Sequence, residues 1–96
     1  MPAPDDYRSH RLVPRDDLIV QRLLDETVVL DPAAGTYVRL NPAGRFIWER
    51  LDGGRSIEEL ARALAGEFGI DASRAHEDVS AFARDLAARG LAELSV

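Results

Sequence analysis

The sequence contains no cysteine. That excludes disulfides, thiolate metal sites and cysteine nucleophiles together, and it leaves the compartment unset by redox chemistry. Lysine is absent too: all 12 basic residues are arginine, against 17 acidic ones, for a net charge of −5. Arg forks can grip carboxylates, but the exclusive use of Arg reads more simply as the codon bias of a GC-rich gene. An acidic chain is a poor partner for nucleic acid, whose binding rests on many neutralising basic contacts. No apolar run approaches the ~20 residues needed to cross a bilayer, so no membrane partner is expected. The segment Met1 to Asp17 has no apolar h-region of a secretory signal, and a cytoplasmic location is expected. Strings of the GxSxG, HExxH, P-loop and GxGxxG kinds are all missing.

Catalytic chemistry finds little support in what is present. The two histidines are His10 and His76. His76, Glu77 and Asp78 are consecutive on an expected helix and fan out in different directions, so they cannot share an ion as i,i+3 or i,i+4 neighbours do. His76 is read as a solvated surface residue. Asp5-Asp6 and Asp16-Asp17 are paired only in sequence and are read as solubilising. No metal, no cofactor and no enzymatic activity are expected.

A chain of 96 residues suffices for one domain with a modest core, since a domain this small buries only about 60–65% of its unfolded surface. Residues 1–17 are rich in Pro, Asp and Arg without apolar periodicity and are expected to form a flexible arm. Removing residues up to about Arg15 is expected to leave the fold intact. The domain proper is expected over residues 18–96. Leu18 to Leu23, Thr27 to Leu30 and Thr36 to Leu40 carry β signals, separated by Asp25-Glu26 and by the Pro- and Gly-containing loop Asp31 to Gly35. Two successive short loops imply an antiparallel meander.

Three helices are expected next. Asn41-Pro42 is a start signal, with Asn at the cap and Pro at the first helical position. This helix should run to about Leu51, with Ile47, Trp48 and Leu51 in the core, and stop at Asp52-Gly53-Gly54. Ser56 and Glu59 form a capping box for a second helix striped by Ile57, Leu60, Ala61, Leu64 and Phe68. Asp71 or Ser73 caps a third, striped by Ala75, Val79, Phe82, Ala83 and Leu86. Gly90 is placed as its C′ residue with Leu91 folding back, and the tail to Val96 has a weak strand signal. A three-stranded sheet has one apolar face to cover, and helices are the available cover. The expected fold class is α+β, winged-helix-like, with a three-stranded antiparallel sheet followed by three helices.

The third expected strand carries the functional signal. In a meander of order 1-2-3 the outer strands are edges, with unpaired N–H and C=O groups. Thr36-Tyr37-Val38-Arg39-Leu40 has no Pro and one charge, and is open to strand addition by a peptide.

The ordered combination of Leu40-Asn41-Pro42-Ala43-Gly44, Ile47-Trp48-Glu49-Arg50-Leu51-Asp52-Gly53, Ser56 to Leu60, and Asp78-Val79 with Phe82, Leu86 and Gly90-Leu91 resembles the PqqD-like family, also called RiPP recognition elements. The likeness covers about residues 18 to 94. It implies a non-catalytic adaptor that binds the leader segment of a ribosomally made precursor peptide and presents it to a separate modifying enzyme or leader peptidase. It also implies a binding cleft between Thr36, Tyr37, Val38, Arg39 and Leu40 on one side and Ala75, Asp78, Val79 and Phe82 on the other. Where the quinone-cofactor chaperones carry a Pro-Glu string, this chain has Asp31 to Gly35. Its other motifs look more like domains from lasso-peptide or radical-enzyme clusters. Alternatives are a winged-helix DNA-binding protein, disfavoured by the mixed charges of the third helix, and a structural subunit of a biosynthetic complex. Exposed edges also leave a homodimer open.

Overall fold

The computed structural model describes residues 9–51 and 54–95. Among the described residues, five strands and three helices follow one another as β1 (Arg11–Pro14), β2 (Ile19–Arg22), β3 (Thr27–Asp31), β4 (Thr36–Leu40), α1 (Pro42–Trp48), α2 (Ile57–Phe68), α3 (Ala72–Ala88) and β5 (Ala92–Ser95). The expected meander is β2-β3-β4, antiparallel throughout, with Val29 opposite Val20 and Val38. The α+β class is as expected.

The helix boundaries follow the capping chemistry. Asn41 accepts from the Gly44 N–H at 2.7 Å, with Pro at the first helical turn. Ser56 and Glu59 close a reciprocal capping box at 3.2 and 2.9 Å. Of the two candidate caps for α3, Asp71 is the one used, accepting from the Arg74 N–H. Gly69 and Gly90 both take positive φ, 64° and 72°, where a side chain would be strained. Leu91 donates back to the Leu86 carbonyl and is buried, as expected of a residue after a C′ glycine. Helix α1 ends earlier than expected, at Trp48, because the N–H groups of Arg50 and Leu51 turn to i−3 carbonyls. The expected stop at Asp52-Gly53 lies outside the described residues.

The arm is the main correction. Arg11–Pro14 is not a free tail but a strand, paired antiparallel with β5 in a register that sets Leu12 opposite Leu94 and Pro14 opposite Ala92. Leu12 is 1% exposed and belongs to the core cluster with Ile47, Ile57, Leu60, Leu64 and Leu86. The His10 carbonyl accepts from the Ile57 N–H at 2.8 Å, and the Arg15 N–H reaches the Leu91 carbonyl at 2.9 Å. A single buried Leu on a four-residue strand has no periodicity to betray it. The ordered domain therefore begins before residue 18. Residues 1–8 of the expected arm lie outside the described residues.

Charge reinforces this anchoring. The Arg15 guanidinium bridges Asp17 and the buried Asp31 and touches the Gly90 carbonyl, tying the β1 end to the β3–β4 loop and the α3 terminus. Asp31 also accepts from the Ala33 and Ala34 N–H groups. The Arg15 hydrogen bonds, helped by those backbone donors, hold the Asp31 carboxyl below its ordinary range.

Candidate functional site

Among the described residues strand β4 is an edge of its sheet, with β3 on one side and no strand on the other. The register puts Thr36, Val38 and Leu40 on the face of Thr27, Val29 and Asp31, which the rest of the domain buries, and Tyr37 and Arg39 on the opposite face with Leu30 and Val28. Tyr37 is 59% exposed there.

Two cavities continue β4 toward α3. One, of about 280 Å³, joins Thr36, Tyr37 and Val38 to Arg89 and Leu91 at the end of α3, with Val29 and Asp31 behind. The other, of about 500 Å³, joins Asn41, Ala43, Gly44 and Ile47 at the start of α1 to Arg74, Asp78, Ala81, Phe82 and Asp85. The start of β4 thus faces the end of α3, and the residues after β4 face its middle. The two share no lining residue; what relates them is the α3 side, whose end borders the first and whose middle borders the second, and the space between β4 and α3 is called the groove below.

Gly44 shows why the Asn41-Pro42-Ala43-Gly44 spacing serves the groove. A Cβ on Gly44 would lie 3.1 Å from Phe82 Cε1 and 3.1 Å from Asn41 Oδ1. Its bare backbone lets the Phe82 ring rest on the first turn of α1. The charged wall of α3 is self-paired: Arg74 lies 3.7 Å from Asp78, and Arg89 binds Asp85 at 3.1 and 3.2 Å.

Of the nine residues expected at the cleft, Thr36, Tyr37, Val38, Asp78 and Phe82 line these cavities. Arg39 projects on the outer face. Leu40, Ala75 and Val79 are 6%, 0% and 0% exposed and form the core behind the groove rather than its surface. The residues sequence reasoning passed over are Gly44, Arg74, Ala81, Asp85 and Arg89. A signal existed: 74, 78, 81/82, 85 and 89 form a helical stripe at 3–4 spacing, one residue or about 100° around from the core stripe.

His76 is not solvated but half-buried in a cleft between α2 and α3 with Glu58 and Arg62, its Nε2 shielded without a hydrogen-bond partner. It sits next to fully buried Ala75, at the seam where α2 and α3 pack. Trp48 and Leu51 pack against the core while Ile47 lies within it. Among the described residues no group of three His, Cys, Asp or Glu side chains is placed to hold a metal. No described helix is long and apolar enough to cross a membrane.

A small α+β domain with a free sheet edge beside a helix is thus the class that fold and groove define. Residues 26–92 match the family described as coenzyme PQQ synthesis protein D (PqqD), and the chain belongs to that family. No curated protein matches it. Two solved structures resemble it. TbiB1 in complex with the TbiA(beta) leader peptide aligns with a TM-score of 0.76 and 32% identity, over 84% of this chain and 94% of that one. Lasso peptide synthetase B1 complexed with the leader peptide aligns with a TM-score of 0.78 and 28% identity, over 86% and 98%.

Proposed function

We propose that this protein is a non-catalytic adaptor that binds the leader segment of a ribosomally made precursor peptide as an added strand on β4, in the groove closed by α3, and presents it to a separate modifying enzyme or leader peptidase in the cytoplasm. The observation that carries the reading is the free β4 edge facing the α3 groove, in a chain similar over most of its length to two proteins solved with leader peptides. An added strand supplies its own N–H and C=O groups to the unpaired edge, which gives affinity with little sequence demand. Alternate side chains then enter the groove between Val38 and Phe82, which gives selectivity. The likeness to lasso peptide synthetase B1 supports a lasso-type client over the precursor of the quinone cofactor.

Titration calorimetry with synthetic leader peptides, including the two leaders of the solved complexes and that of any precursor encoded beside this gene, tests the reading. Binding is expected with Kd between about 10 nM and 10 μM, or about −11 to −7 kcal/mol. Absence of heat with folded protein at high micromolar peptide refutes it. A gel shift with duplex DNA at low salt would instead favour the nucleic-acid alternative.

A further inference from the structure

Helix α1 has two working faces. Ala43, Gly44 and Ile47 line the groove shared with α3. Pro42, Arg45, Phe46 and Glu49 line a separate cleft of about 250 Å³ on the other side, closed by Asp25 and Glu26 of the β2–β3 turn and by Glu67 and Phe68 at the end of α2. No residue lines both.

The floor of this second cleft is apolar and aromatic. Phe46 and Phe68 meet edge to face with ring centroids 5.7 Å apart, and the Arg50 guanidinium covers the Phe46 ring at 3.5 Å. Phe68 nevertheless stays 42% exposed. The turn that supplies the acidic wall also holds Leu23 at 53% and Leu24 at 99% exposure. These are large apolar side chains that folding has left in water, which is unfavourable unless something covers them.

The rim has one sign. Asp25, Glu26, Glu49 and Glu67 face a single lining guanidinium, Arg45. Arg45 and Arg22 both go to Glu49 at 3.4 Å. Asp25, Glu26 and Glu67 therefore have no ion pair among the described residues. Carboxylates gathered around exposed apolar groups repel one another and gain from a cation brought by a partner.

We propose that the cleft behind α1 docks a second protein, through a segment that inserts an aliphatic or aromatic side chain between Phe68 and the β2–β3 turn and sets Arg or Lys against Asp25, Glu26 and Glu67. Because the two faces of α1 share no lining residue, this partner and a peptide in the β4–α3 groove can be held at once. Naming the partner as the enzyme that processes the bound peptide rests on the leader-binding reading; the docking surface does not.

The test uses the full chain labelled with ¹⁵N and two designed helical peptides of identical apolar content, one flanked by Arg and Lys, the other by Glu. The basic peptide is expected to shift the amides of residues 23–26, 45–49 and 67–68, and to lose about tenfold in affinity between about 50 and about 500 mM salt. The acidic peptide is expected to leave those amides in place. Asp25→Arg combined with Glu67→Arg should weaken the basic peptide by about tenfold or more, and leave leader titration within about twofold. Phe68→Ser, with folding checked by the amide spectrum, should weaken it as well. Equal binding of both peptides, shifts confined to β4 and α3, or full affinity in the charge-reversed variant each overturn the proposal. Concentration-dependent shifts of residues 23–26 and 67–68 without peptide would assign the surface to a second copy and overturn it too. A leader that fails to bind while the basic peptide still docks refutes the leader reading alone.

Discussion

Replacing Leu12 with Ala tests whether the N-terminal strand is part of the domain. The side chain is 1% exposed and belongs to the core cluster. Truncating a buried Leu costs the lost transfer energy plus the cavity left behind, about 2–5 kcal/mol in total. Leu12 sits on a two-stranded ribbon rather than between helices, so its surroundings can partly close in, and the middle of that range, about 3 kcal/mol, is expected. For a domain of fewer than 100 residues, 1 kcal/mol moves Tm by about 4–8 °C, so Leu12→Ala should melt about 12–24 °C lower. Thermal melts followed by far-UV circular dichroism, with urea titrations to check that the slope is unchanged, measure this. Leu24→Ala is the control: at 99% exposure it should change stability by no more than about 0.5 kcal/mol. A Tm drop below about 4 °C for Leu12→Ala would mean less than about 1 kcal/mol and would refute the packing of β1. Deleting residues up to Pro14 should be worse than the point variant, because it also strips β5 of its partner and removes the His10 carbonyl that accepts from the Ile57 N–H.

Asp31→Asn should lower Tm at neutral pH, since it removes the anion that Arg15 and two backbone N–H groups hold. The folded carboxyl titrates below its unfolded value of about 3.9, so its contribution is full above that pH and is lost as pH falls through the folded pKa. The Tm gap between wild type and variant should therefore close below about pH 4, and a pH-independent gap would refute the ionic origin. Gly44→Ala gains about 0.5–1 kcal/mol of helix propensity but overpacks against Phe82 at 3.1 Å, a cost of about 1–3 kcal/mol; the net loss of about 1 kcal/mol should lower Tm by about 4–8 °C while leader affinity falls about threefold or more as the ring shifts, and unchanged affinity in calorimetry would place the peptide elsewhere. Asp78→Arg, on a residue half-exposed at the groove wall with only a 3.7 Å ion pair to Arg74, should alter leader affinity at a stability cost within about 0.5 kcal/mol. If it binds like wild type while a change in β2 abolishes binding, the groove has been assigned to the wrong edge.

The local elements were legible because local chemistry writes them. Thr36–Leu40 was bounded to the residue by Gly35 before it and Asn41-Pro42 after it, and the start of α2 by Ser56 and Glu59. Caps, turn glycines and the 3.6-residue stripe act within a few residues, so a single sequence displays them. The edge position of β4 followed as well, since two short loops force a meander whose last strand has one partner. The family resemblance rested on the same strings that the capping geometry explains.

What tertiary structure alone decided was long-range. The pairing of β1 with β5 joins the two ends of the chain, and neither four-residue strand carries a period of its own; only the burial of Leu12 and Ala92 against the helices makes them strands. That Arg74 and Asp85 join the expected Asp78 and Phe82 at the cavity, while Ala75 and Val79 go into the core, is likewise a matter of how α3 is rotated. A helical stripe shows that a face is apolar, but whether that face meets the core or a groove depends on the neighbouring element. Here α1 comes close through Gly44, filling the space over Phe82 and leaving the next face of α3 to solvent.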